Sequence, residues 1–334
     1  MARPKFLPDN FTLSLIATVT AASLLPCRGA IAGGFNDLTV VAIALLFFMH
    51  GAKLSSEAIV AGATHWRLHV LVFCSTFIMF PLIGLALQPI FAPLITPALY
   101  AGVLFLCVLP STVQSSIAFT SIARGNVSAA VCSASASSLI GIFLTPLIAS
   151  VVIRTQGARH TSALQSMADI VMQLLVPFLA GHFARRWIGA WIERNRGVLK
   201  FVDQGSILLV VYTAFSEAVV EGLWHSISPL ALVLLVGVCV VLLAIALTVT
   251  SIVAKQCGFD RADQITIIFC GSKKSLAAGI PMAKVIFASQ AVGAIVLPLM
   301  LFHQIQLMTC AVLAQRWGAR VDEGSARRGA SSRA

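Results

Sequence analysis

Apolar runs recur from Phe11 almost to the C-terminus of this 334-residue chain, separated only by short polar breaks. A helix needs about 20 such residues to cross a bilayer at about 1.5 Å per residue, and most of these runs reach that length. Charged residues make up 10% of the chain and hydrophobic ones 58%, whereas soluble domains carry about 25% charged residues. The expected fold is an all-α polytopic membrane protein. The runs leave little room for a soluble catalytic domain, so its work belongs inside the bundle.

The expected spans are 11–27, 36–53, 68–88, 97–123, 127–153, 164–186, 201–220, 229–254, 262–287 and 291–315. The first run, preceded by Arg3 and Lys5 and followed by Ala30-Ile31-Ala32, also fits a signal peptide, but it continues the pattern of the later spans and is read as a retained helix. The two longest connections, 54–67 and 187–200, have room for short interfacial helices.

Lys and Arg orient such a bundle, because cytoplasmic loops carry the excess. With ten spans, 17 of the 23 fall on the side of the N-terminus and only Arg28, Arg154, Arg159 and Lys284 on the other. Both termini are therefore expected in the cytoplasm of a cell (inner or plasma) membrane, with 316–334 as a cytoplasmic tail. The net charge of +11 is read as topogenic rather than as a nucleic-acid signal. Basic residues between Trp187 and Lys200 are expected to touch anionic lipid headgroups.

Ten spans divide into a first repeat, 11–153, and a second, 164–315, joined by Thr155-Ser162. Five is odd, so the second set enters from the opposite side and a repeat must be inverted. The fourth span of each set is broken. In the first, Pro110 removes a backbone donor and frees carbonyls near Leu106 and Cys107, and Ser111, Thr112, Gln114, Ser115 and Ser116 follow to satisfy them or to line a cavity. In the second, Gly271-Ser272-Lys273-Lys274-Ser275 interrupts the apolar run. Breaks at matching places in two halves point to a transporter's binding site.

A charge at the bilayer centre costs about 2.5–3.5 kcal/mol on insertion scales, so intramembrane lysines face a bundle interior, a cavity or a counter-charge. The acidic residues near spans, Asp37, Asp169, Asp203, Glu217 and Glu221, are expected near helix ends, away from this depth. The motif lacks the glycine spacing of a P-loop. Small residues open the fifth span, where packing is the main expected role, with Ser133 in reach of the neighbouring break. His303 in the tenth span, with Gln304 and Gln306, lies where it can stand beside the broken ninth helix. The eight cysteines are scattered without a paired motif, and neither a metal site nor a catalytic Ser-His-Asp, Cys-His or paired-carboxylate set stands out. No cofactor and no enzyme activity are expected.

The order Leu109-Pro110-Ser111-Thr112-Val113-Gln114-Ser115-Ser116-Ile117-Ala118-Phe119, then Ala123-Arg124-Gly125-Asn126-Val127 and Thr145-Pro146-Leu147, together with Gly271–Ile280, resembles the bile acid:sodium symporter superfamily, solute carrier family ten. The likeness is closer to its sodium-bile-acid-symporter-like branch, which holds the divergent seventh human member and bacterial relatives. The resemblance implies two inverted five-helix repeats with the broken fourth and ninth helices crossing. It implies a core domain of 68–153 plus 229–315 and a panel domain of 11–53 plus 164–220. In sodium-coupled members a serine-asparagine pair and a glutamate ligate sodium; those positions fall here on Ser115-Ser116 and near Ile268. A ninth-helix glutamine falls on Ser272, the next polar positions on Lys273 and Lys274, and a third-helix glutamine on Thr76.

Lysine ammonium groups repel sodium in a low dielectric, so the sodium site reads as degenerate and proton coupling as an alternative. The expected function is alternating-access transport of a small organic anion. Its binding residues would be Thr112, Gln114, Ser115, Ser116, Ser133, Ser272, Lys273, Lys274 and Ser275, with Thr76 and His303 as secondary candidates. A non-transporting regulator of ion homeostasis is the alternative. The sequence specifies no substrate identity and no oligomeric state.

Overall fold

Short polar residues set where several helices begin. Thr96, Asn126, Asp260 and Ser275 each accept a hydrogen bond from the backbone N–H three residues on, at 3.4, 3.1, 2.8 and 3.2 Å. Such caps satisfy donors that a helix leaves unpaired at its start. The computed structural model describes residues 10–53, 65–153, 171–220, 222, 224, 227–287 and 292–331, and among these every regular element is helical.

In chain order the elements are α1 (Asn10–Leu24), α2 (Gly29–Lys53), α3 (Trp66–Cys74), a π-helical turn (Ser75–Met79), α4 (Phe80–Phe91), α5 (Pro97–Val108), α6 (Gln114–Ile122) and α7 (Val127–Val152). A second π-helical turn (Val171–Leu175) leads into α8 (Val176–Arg194), followed by α9 (Arg196–Val220), α10 (Pro229–Gln256), α11 (Arg261–Gly271), α12 (Leu276–Ile286) and α13 (Val292–Ser331). Among the described residues 6 stretches are long and apolar enough to cross a membrane: Gly29–Lys53, Trp66–Leu94, Val127–Val152, Gly197–Val220, Pro229–Gln256 and Val292–Ala319.

One expectation changes. The connection 187–200 holds no separate interfacial helix: α8 runs on to Arg194 and α9 starts at Arg196, because nothing before Asn195 breaks the helix. Within the expected tail, α13 continues helically as far as Ser331. The connection 54–64, the linker Thr155-Ser162, Asp169, Glu221 and the start of the sixth expected span lie outside the described residues.

The chain divides into two compact units. The first comprises residues 1–54, 155–232 and 279–297. In it α2 packs on α8, and Gly51 and Gly181 make that approach possible. A Cβ on Gly51 would lie 1.9 Å from the carbonyl oxygen of Phe178, and one on Gly181 1.9 Å from that of Phe48. Met49, Ala52, Ile192 and Leu199 fill the space beside this crossing. Asp203 and Glu217, both on α9, pair with Lys53 and Lys284.

The second unit comprises 55–154, 233–278 and 298–334. Leu68, Val72, Ala129, Ala130, Ala254, Ile267 and Cys270 form one apolar core in it. A second core joins Phe269 and Ile265 to Ala123, Cys310 and Ala314. Both broken segments, 109–113 and 272–275, belong to this unit.

Candidate functional site

Proline creates the first half of the site. Pro110 has no N–H and forces the residue before it out of the helical region, so α5 ends at Val108 and Leu109 is extended at ψ 154. The unwinding frees carbonyls that must find other donors. Thr145 on α7 donates to Val108 at 2.9 Å, and the Pro110 carbonyl accepts from the Ser275 N–H at 2.9 Å. Gly141 leaves room for the proline ring, since a Cβ there would lie 2.6 Å from the Pro110 Cβ.

A second proline acts through the π-helical turn. In that geometry each carbonyl accepts from the N–H five residues on, and Ser75 does so from Phe80. The next partner, for the carbonyl of Thr76, would be residue 81, which is a proline without an N–H.

Lys274 serves carbonyls left open by Pro81 and by the unwinding at Pro110. Its Nζ donates to the carbonyls of Thr76 at 2.7 Å, Cys107 at 2.8 Å and Leu109 at 2.8 Å. Those bonds use the three donors an ammonium has. The face of Phe80, 4.2 Å away, adds a cation–π contact. The backbone of Lys274 is held as well, because Gln306 accepts from its N–H and donates to its carbonyl, each at 2.9 Å.

Lys273 is the opposite case. It is 0% exposed, yet its Nζ has no hydrogen-bond partner among the described residues. The rings of Phe119 at 3.9 Å and Phe269 at 5.4 Å are what it meets. Cation–π attraction supplies about 2 kcal/mol when desolvated, while burying an unpaired ion costs several. One lysine is saturated and its neighbour is left wanting an acceptor.

The remaining candidates divide the same way. Ser111 donates to Cys270 at 2.5 Å and Ser116 to Phe269 at 3.0 Å, so hydroxyls of the first break satisfy carbonyls ending α11. Thr112 joins Ser115 at 2.7 Å and Ser116 at 3.0 Å in a hydroxyl cluster. Ser272 bonds back to Ile268 at 2.6 Å, and Ser275 caps α12. Ser133 is bonded to His69 at 2.6 Å, on another face of the unit. His303 reaches the backbone of Lys274 through Gln306, 2.9 Å from its Nδ1. Gln114 opens α6 with its side chain exposed.

Sequence reasoning did not single out Phe80, Phe119 or Phe269 as contacts of the lysines, nor the carbonyl of Leu109. Aromatic residues in an apolar run look like any other filling, and a carbonyl has no residue-type signature.

An all-helical bundle with spanning helices, broken segments that meet and two buried lysines at the meeting point defines a multi-pass membrane protein built around an internal polar site. The comparisons with known proteins say which kind. Residues 9–319 match the SBF-like CPA transporter family, of bile acid:sodium symporter type, and the chain belongs to that family. It is 64% identical to an uncharacterised protein of Pseudomonas aeruginosa, over 98% of each chain. It is 55% identical to YfeH of Escherichia coli, a protein named provisionally as a symporter, over 97% of each chain. It is 30% identical to the mouse sodium/bile acid cotransporter 7, over 91% of this chain and 90% of the relative. The family is one of transporters and not of enzymes.

Proposed function

We propose that this chain is a secondary carrier of a small organic anion that works by alternating access, with Lys273 as the cation that meets the anion. The observation that carries this reading is the buried Lys273 ammonium, which has no hydrogen-bond acceptor among the described residues and lies where the two broken segments meet. A carrier must hold its cargo weakly enough to release it. A cation tuned by two aromatic faces, and not by a resident carboxylate, keeps its strongest interaction for an arriving carboxylate or similar group.

In this reading the ten helices and helix pairs form two inverted five-helix repeats in the cell membrane, with both termini cytoplasmic. The unit that holds both breaks is the core, and the unit built on α1, α2, α8 and α9 is the panel. The hydroxyls of Thr112, Ser115 and Ser116 are already bonded to one another, so they can exchange partners with cargo at little cost. Asn at the Ser116 position and Glu at the Ile268 position, expected for sodium coupling, are both absent. Sodium is therefore not the driving ion, and a proton gradient takes its place.

Reconstituted vesicles loaded with buffer, offered a pooled extract of acidic metabolites and read by mass spectrometry, test the proposal. Saturable accumulation should persist when choline replaces sodium, and should fall at least about tenfold in Lys273→Ala, as loss of one charge-assisted bond of 1.5–3 kcal/mol requires. Wild-type accumulation in Lys273→Ala would sink the reading.

A further inference from the structure

Lys274 has a use that binding cargo does not explain. A transported anion needs a cation with a free donor, and Lys274 has none: its three N–H bonds already end on the carbonyls of Thr76, Cys107 and Leu109. The side chain is 0% exposed, so water completes nothing there. Among the described residues no carboxylate pairs with it; Asp203 and Glu217 pair instead with Lys53 and Lys284.

What remains is a cation held by converging backbone carbonyls. Protein carbonyls use that chemistry to replace the hydration shell of a monovalent metal ion. The three oxygens come from separate stretches of backbone, the π-helical turn and the broken end of α5, and each was stripped of its own N–H partner by a proline or by the unwinding that follows one. The cage carries further negative potential from the C-terminal end of α5 and from the face of Phe80, 4.2 Å from Nζ. Nothing in this donor set is specific to a lysine stem. It would accept any small monovalent cation that bonds to oxygen at the 2.7–2.8 Å seen here.

We infer that the carbonyls of Thr76, Cys107 and Leu109 form a monovalent-cation site of ammonium or potassium type, which this chain fills permanently with the ammonium of Lys274. The site uses none of the side chains that the resemblance assigns to sodium. The tethered cation clamps the π-helical turn to the end of α5, and Gln306 separately ties the Lys274 backbone to α13. The inference requires no transport activity, so it stands or falls apart from the reading above.

Chemical rescue of a truncated side chain tests it. The purified Lys274→Ala variant in detergent should unfold several degrees below wild type. Methylammonium or ammonium chloride should raise its Tm saturably, potassium chloride should do so in part, and tetramethylammonium chloride at equal ionic strength should not. Wild type and Lys273→Met should show none of these responses. A Lys274→Ala variant that responds no differently from wild type overturns the inference. If that variant is too unstable to purify, Lys274→Met makes the comparison from the other side, since its stem fills the approach but offers no charge. It should unfold below wild type and ignore methylammonium, and a Lys274→Met protein as stable as wild type overturns the inference equally.

Discussion

Gly51 and Gly181 show what a single missing carbon can decide. Each faces a carbonyl oxygen of the opposing helix so closely that a Cβ would lie 1.9 Å from it. Backbone cannot yield as a flexible side chain does, so the helices must separate. Gly181→Ala should destabilise the protein by about 1–3 kcal/mol, the usual cost of forced overpacking, seen as a lower Tm in detergent. Gly205→Ala, also in a helix but with nothing within 4 Å of its new Cβ, should instead gain about 0.4–1 kcal/mol through the unfolded state. Equal Tm values for the two variants would contradict the close crossing. Neither glycine stands out in the sequence, because a glycine among small apolar residues does not announce what it faces. The lysine pair does stand out, since a charge in an apolar run is an anomaly in any context. Which lysine is bonded could not be read, because the acceptors are carbonyls. Pro81, five residues after Thr76, was the one available hint.

At the scale of the helix, the break at Pro110 is legible from covalent chemistry alone, and its repair is not. The proline predicts orphan carbonyls near Leu106 and Cys107, and the hydroxyls beside it are the obvious donors. The structure uses distant donors instead: Lys274 serves Cys107 and Leu109, and Thr145 serves Val108. The local hydroxyls of Ser111 and Ser116 cross to the end of α11. Those bonds commit the local hydroxyls to α11, so the vacated carbonyls are served from elsewhere. Thr145→Val keeps the shape of the side chain and leaves the buried Val108 carbonyl unpaired, which costs about 1–3 kcal/mol. Thr145→Ser retains the hydroxyl and should stay within about 1 kcal/mol of wild type by the same reckoning. Thermal unfolding of the three proteins decides the point: if the valine variant matches the serine variant, Thr145 is packing and not a donor.

For the whole molecule, the distribution of basic residues makes a claim that helix length alone does not. Among the described residues six stretches are long and apolar enough to cross a membrane; α5 and α6, like α11 and α12, are short pieces of broken helices, and α1 and α8 fall outside the six as well. Counting each pair as one crossing, together with α1 and α8, gives ten spans and puts Arg124 on the side of the N-terminus; counting the α5–α6 pair as non-crossing moves Arg124 to the other side. The cysteines offer a direct measurement. Cys257 is exposed beside Gly258, Ser128 is exposed at the start of α7, and Cys27 lies beside Arg28 in the turn before α2. In a background freed of the other cysteines, ten spans with cytoplasmic termini require Cys257 and Ser128→Cys to react with a membrane-impermeant maleimide only after the cytoplasmic face is opened. Cys27 must react in intact cells. Labelling of Ser128→Cys from outside removes the fourth crossing, the α5–α6 pair, from the count and with it the inverted relation of the two halves, since an even number of spans in the first set would let the second enter from the same side.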